Sequence, residues 1–254
     1  MQFSNELSLA ESAAREAGAR LKAHMQSKQT VLCEEGRDIK LQADRDAEAI
    51  ILARLAESGH AVLAEESGEH GDLNEEALSW IVDPLDGTFN YSREIPVCAV
   101  SIGLCRGRTP LLGVIYDFNR DEMFTGIVGE GAWLNGAPMR VSSVSQTSQA
   151  VLCTGVPSRS NFSEESLLLF IHRIKSFKKV RLIGSAAVML AYVACGRADA
   201  YLENEIMWWD VAGGLAIVQA AGGWTELMDS PDIPWGCRVR CAGNAAVWEQ
   251  ADPR

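Results

Sequence analysis

Apolar residues recur at Leu7, Ala10, Ala14, Ala17 and Leu21, the three-and-four spacing of one helical face. The spacing predicts a helix from Ser4 to about Gln26. A second helix is expected from about Asp44 to Ser58, with Ile50, Ile51 and Leu55 inward. Short apolar runs then predict strands. Ala61–Ala64 ends directly on Glu65 and Glu66, and Trp80–Val82 ends on Asp83, where Pro84 is expected to stop it. Runs at about 97–105, 111–118 and 122–128 read as a meander, and Asn135-Gly136 is a hairpin-turn signal.

The second half alternates differently. A strand is expected at Ala150–Val156, then a helix capped by Ser163, with Glu164 and Glu165 in its first turn, running to about Phe177. Strands at Val180–Ile183 and Ala200–Leu202 alternate with helices at Ser185–Ala194 and Asp210–Ala221. The fold class is therefore α/β overall, with an α+β first half built on antiparallel sheet and an α/β second half. The Ser/Gln/Thr-rich stretch 142–148 suggests subdomains at 1–145 and 146–254.

The chain has 254 residues, 47% hydrophobic and 22% charged, enough for one large or two intimate domains. No apolar run approaches the ~20 residues of a membrane span. The first residues show no basic segment followed by an apolar one, so a cytoplasmic protein is expected. The net charge of −11 offers no basic footprint for a nucleic-acid polymer. An acidic protein handling an anionic substrate needs local positive charge, which bound cations would supply. The seven cysteines lie mostly in apolar runs and read as buried thiols; Cys237 and Cys241 lack the further ligands of a zinc site.

The candidate chemistry centres on Trp80-Ile81-Val82-Asp83-Pro84-Leu85-Asp86-Gly87-Thr88. Asp83 and Asp86 flank a turn and can converge on one point. Gly87 permits close backbone approach, and Thr88 can cap a following helix or turn. Glu65-Glu66-Ser67 ends another strand, and Asp210 opens an apolar helix after Trp208-Trp209. Each carboxylate alone could be a cap or a surface charge. Together they are hard oxygen ligands of the kind that suits Mg²⁺.

The strings Ala64-Glu65-Glu66-Ser67, Asp83-Pro84-Leu85-Asp86-Gly87-Thr88 and Trp209-Asp210-Val211-Ala212-Gly213 resemble the three signatures of the inositol monophosphatase family. Gly129–Gly136, Ile183–Ala187 and Gly196–Tyr201 extend the resemblance in order and spacing. It implies a layered αβαβα sandwich, a cytoplasmic homodimer, and Mg²⁺-dependent hydrolysis of a small phosphorylated metabolite. Inositol monophosphate or a similar polyol or sugar phosphate is the favoured substrate. Fructose 1,6-bisphosphate, a 3′(2′),5′-bisphosphate nucleotide and histidinol phosphate are the alternatives, and a regulatory protein on the same fold is the non-enzymatic one.

The resemblance also implies roles. Glu65, Asp83 and the Leu85 carbonyl resemble ligands of a first Mg²⁺; Asp83, Asp86 and Asp210 resemble those of a second. Glu66 resembles a supporting acid for a weaker third ion, and Asp44 with Thr88 the pair that activates water. Leu85, Asp86, Gly87, Thr88 and Asp210 would surround the phosphate, with Gly87-Thr88 as its cradle. Gly184, Ser185, Ala186 and Glu203 would touch the rest of the substrate. Two threonines usual before the Asp44 position are Leu41 and Ala43 here, and the loop Cys33–Arg37 lacks the usual basic start. These departures bear on the third ion and on water activation.

Overall fold

A computed structural model describes residues 2–25, 30–35, 38–156 and 162–251, and the side chains of these except at 33–35 and 38–40. The predicted first helix is α1 (Ser4–His24); its expected end at Gln26, and Gly36-Arg37 of the loop, lie outside the described residues. The inward face of α1 is Ala10, Ala13, Ala14, Ala17 and Leu21. Such small side chains let it lie close to α2 (Gln42–Leu55). Between them runs a hairpin that the apolar pattern does not mark, β1 (Val31–Glu35) and β2 (Asp38–Leu41).

Both helices cover one face of a sheet formed by β3 (Ala61–Ala64), β4 (Gly68–His70), β5 (Leu78–Asp86), β6 (Ala99–Arg106), β7 (Thr109–Asp117), β8 (Glu122–Ile127), β9 (Gly131–Leu134) and β10 (Ala137–Met139). Its order is β10-β9-β8-β7-β6-β5-β3-β4. The meander is as expected, and Asn135 and Gly136 both take positive φ in the β9–β10 turn. The β3–β5 pair is parallel, so the sheet is mixed rather than wholly antiparallel. Strand β5 does not stop at Pro84; it continues to Asp86, with a register shift between Asp83 and Asp86. Its partner β3 is paired only as far as Val82, so Pro84 sits at a bulge where its missing N–H leaves no ladder bond unmade.

The second sheet holds β11 (Val151–Thr154), β12 (Lys179–Arg181), β13 (Ala200–Met207), β14 (Trp224–Asp229) and β15 (Gly236–Ala242), in the order β12-β11-β13-β15-β14. The first three are parallel, as an α/β half requires. The β13–β15–β14 edge is antiparallel, and the sequence reading marks neither β14 nor β15. The short α3 (Thr88–Ser92) follows β5. Helices α4 (Glu164–Ser176), with its Ser163 cap, and α7 (Ala246–Ala251) lie on the outer face of the second sheet. Helices α5 (Ala186–Ala194) and α6 (Trp208–Ala220) fill the space between the sheets. The layers are thus αβαβα.

Helix α6 lies unusually close to the first sheet. Gly103, Gly113 and Gly126 pair side by side across β6, β7 and β8. A Cβ on Gly113 would stand 2.0 Å from the Gly213 carbonyl oxygen, and one on Gly126 would stand 2.8 Å from Ile217 Cα. The three glycines form a trough that α6 occupies. Among the described residues, no helix is long and apolar enough to cross a membrane.

Candidate active site

Three element ends bring the carboxylates together. The Glu65 N–H donates to the Val82 carbonyl (3.1 Å), so the end of β3 is tied to β5 just before Asp83. Asp83 Oδ1 accepts from the Leu85 N–H (2.9 Å), which turns the chain around Pro84 toward Asp86. Asp210 is the third residue of α6, and its Oδ2 accepts from the Met207 N–H (3.1 Å). As a result, ligand atoms of Asp83, Asp86 and Asp210 all lie within 4.8 Å of one another. Glu65 and Asp83 stand close enough for each to bear on the other's ionisation.

Asp86 rests on the N-terminus of α5. Its Oδ2 accepts from the Ser185 hydroxyl and the Ala187 N–H (2.8 Å), and its Oδ1 from the Ala186 N–H (3.2 Å). The hydroxyl of Ser185 is therefore engaged with a carboxylate of the site. Gly87, at φ 89°, is the residue before α3, and Thr88 is that helix's first residue rather than its cap. A Cβ on Gly87 would lie 2.9 Å from the Val97 carbonyl, so only glycine makes this turn comfortably.

Asp44 is buried at the third position of α2, where its Oδ2 accepts from the Leu41 N–H (2.6 Å). Asp44 and Asp210 thus use the same local device, reaching back to the residue before their helix. The Thr88 hydroxyl lies 2.9 Å from the Leu85 carbonyl and 3.3 Å from Asp44 Oδ1, and its single hydrogen serves one of them at a time. The Glu66 N–H donates to Glu48 Oε2 (2.9 Å). Glu48, buried on α2, is a residue that sequence reasoning missed. The available signal was its position four residues after Asp44, on the same helical face. Glu203 lies at 5% exposure with its carboxylate against Gly155.

Burial is the main cause that raises the carboxyl pKa values of Glu65, Asp83 and Asp210 well above the ordinary range, with neighbouring carboxylates next. Asp86 is pushed by burial to about 6, held down by its Ser185, Ala187 and Ala186 bonds. Burial takes Asp44 to about 7 and Glu203 to about 8. A cluster of buried and half-buried, mutually repelling hard oxygen donors fits a divalent cation such as Mg²⁺ and suits no soft metal.

These folded-state pKa values are raised, so between about pH 4 and 8 the folded chain holds protons that the unfolded chain has released. Stability is present below pH 4 and is lost as pH rises through 6 to 8. The chelator-treated protein should lose roughly 5 °C or more in Tm between pH 5 and pH 8, and Mg²⁺ should restore it most at pH 8. Melting curves with and without chelator check this; a flat metal-free profile would contradict the clustering.

The profile of the Inositol monophosphatase family matches residues 4–251. The chain is 39% identical over 222 residues to an inositol-1-monophosphatase of Synechocystis sp., covering 85% of this chain and 77% of the relative. It is 38% identical over 227 residues to the Nus factor SuhB of Xylella fastidiosa, covering 87% and 82%. The structure of an inositol monophosphatase from Anabaena superposes with a TM-score of 0.82 at 35% identity, over 99% of this chain and 95% of that one.

Proposed function

The chain belongs to the inositol monophosphatase family, and from that premise we propose that this phosphatase is Mg²⁺-dependent and takes a polyol phosphate such as inositol monophosphate. The observation that carries the metal dependence is the convergence of Asp83, Asp86 and Asp210 within 4.8 Å. Asp83, with Glu65 and the Leu85 carbonyl, would hold one ion; Asp83, Asp86 and Asp210 would hold a second. Bound Mg²⁺ would neutralise phosphate oxygens, lower the pKa of water and stabilise the leaving alkoxide. Asp44 and Thr88 would orient the attacking water, and Glu66, tied to Glu48, would support a third ion. The Gly87-Thr88 backbone would cradle the phosphate.

The polyol preference rests on Glu203. Its carboxyl is raised first by burial and then by the charge of Asp86, which puts it within electrostatic reach of the proposed cation site. With cations neutralising Asp86, one of the two causes that raise Glu203 is removed; in its ionised form it would accept hydrogen bonds from ring hydroxyls and repel a second phosphate. Glu203→Gln should lower kcat/KM for inositol monophosphate about tenfold, the worth of a charged acceptor on a hydroxyl, ~1.5–3 kcal/mol. Hydrolysis of p-nitrophenyl phosphate, which has no such hydroxyls, should change less than twofold. Equal losses on both substrates would assign Glu203 to the metal cluster instead.

Relatives named Nus factor SuhB raise a second reading, a regulatory role on the same fold. The buried carboxylate cluster speaks against a purely binding role, because it destabilises a scaffold that has no use for cations. Phosphate release that depends on Mg²⁺ separates the two readings.

A further inference from the structure

Asn90 stands outside every candidate role above, yet its amide nitrogen meets three backbone carbonyls. Nδ2 lies 2.8 Å from the Val97 oxygen, 2.8 Å from the Ile183 oxygen and 3.2 Å from the Gly184 oxygen. The first belongs to the segment leading into β6; the other two belong to the segment that delivers Ser185 to the start of α5. Gly184 takes φ 74°, and a Cβ there would lie 3.1 Å from Asn90 Nδ2. The approach is tight because nothing but backbone separates the amide from that turn.

From this we infer that Asn90 is a positioning residue for the cation site, acting through Gly184-Ser185 on Asp86. The inference rests on the reading of Asp83, Asp86 and Asp210 as metal ligands. Asp86 comes from the first half of the chain, but the three groups that fix its carboxylate, the Ser185 hydroxyl and the Ala186 and Ala187 N–H groups, come from the second. Besides the packing of α5 and the Asp86 bonds themselves, Asn90 ties those groups to the Asp83–Thr88 turn, because it sits two residues after Thr88 and binds the carbonyls just before Ser185. An amide has two hydrogens, and here they are shared among the Val97 carbonyl before β6 and the Ile183 and Gly184 carbonyls before α5. Without this amide, the Ile183-Gly184 turn that delivers Ser185 loses its side-chain anchor, and the set of the Asp86 carboxylate against Asp83 and Asp210 loosens.

Asn90→Leu keeps the side chain's approximate volume and removes both donors. Asn90→Asp keeps its shape and sets an acceptor against three carbonyls. Asn90→His returns one N–H at a similar distance from the backbone. Mg²⁺ affinity measured by calorimetry and steady-state kinetics are read on all three, beside Tm. The expected result is a Mg²⁺ affinity weakened at least fivefold and a kcat lowered at least tenfold in Asn90→Leu and Asn90→Asp, with KM within about threefold of wild type and partial recovery of both in Asn90→His. A merely structural role would lower Tm and the active fraction while leaving Mg²⁺ affinity per folded molecule unchanged, and that result would overturn the inference. Absence of Mg²⁺ binding by the wild-type protein would instead remove the metal reading beneath it.

Discussion

Asp83→Asn and Asp210→Asn should each lower turnover at saturating Mg²⁺ by at least ~10²-fold, the scale on which lost charge stabilisation is felt, and should raise the Tm of the metal-free protein at pH 8. Both effects have one source. Ligand atoms of three carboxylates lie within 4.8 Å of one another, and burial and mutual repulsion push the pKa values of Asp83 and Asp210 well upward. Without a cation that arrangement opposes folding at high pH. Asparagine removes the charge and keeps the local bonds, since its Oδ1 can still accept from the Leu85 N–H or the Met207 N–H. The stability gain in chelator and the activity loss in Mg²⁺ should therefore appear in the same variants. Near-wild-type turnover in both would remove the proposed two-cation site, and a lower metal-free Tm would show that these carboxylates serve as structural caps.

Much of this site was legible in the sequence, because its ligands lie at the ends of apolar elements whose period is plain. The run Ala61–Ala64 predicted β3 to the residue, and with it the place of Glu65. The apolar run gives β5 too early an end at Asp83, because proline's missing donor is a reason to stop only where a neighbour needs that donor, and β3 has already ended there. The partners of Asp86 were not legible as such. Ser185 lies 99 residues away, and only the stacking of α5 between the sheets brings its hydroxyl and two N–H groups to that carboxylate. Strands β14 and β15 carry polar residues such as Glu226, Arg238 and Arg240 among their apolar ones, which dilutes the two-residue period. Glu226 and Arg240 pair across the strands at 2.7 Å, a relation no local window contains.

The glycine trough is the clearest case of information that only register reveals, and it supports the other large expected effect. Singly, Gly103, Gly113 and Gly126 weaken their strands, since glycine loses the most backbone entropy on folding and packs nothing. Aligned across three strands, they let α6 approach until a Gly113 Cβ would fall 2.0 Å from the Gly213 carbonyl oxygen and 2.8 Å from its carbon. Backbone faces backbone there, so no side chain can rotate away. Gly113→Ala should cost about 3 kcal/mol, an overpacking penalty at the high end of the usual range, or roughly 6–12 °C in Tm. The consequence for activity follows from what α6 carries. Relief of the clash moves the helix outward, and with it Asp210, away from Asp83 and Asp86 on the sheet side. A displacement of about 1 Å at a reacting centre can cost ~10²-fold in rate, so kcat should fall much further than the loss of folded protein explains. Gly213→Ala is the graded comparison: its Cβ would meet the Ile102 oxygen at 3.0 Å and the Ser101 hydroxyl at 3.1 Å, contacts that small adjustments relieve. Its losses in Tm and kcat should both be smaller. Melting curves and turnover per folded molecule on the two variants check the order, and a Gly113→Ala protein within 2 °C and twofold of wild type would mean that α6 does not depend on the trough to place Asp210.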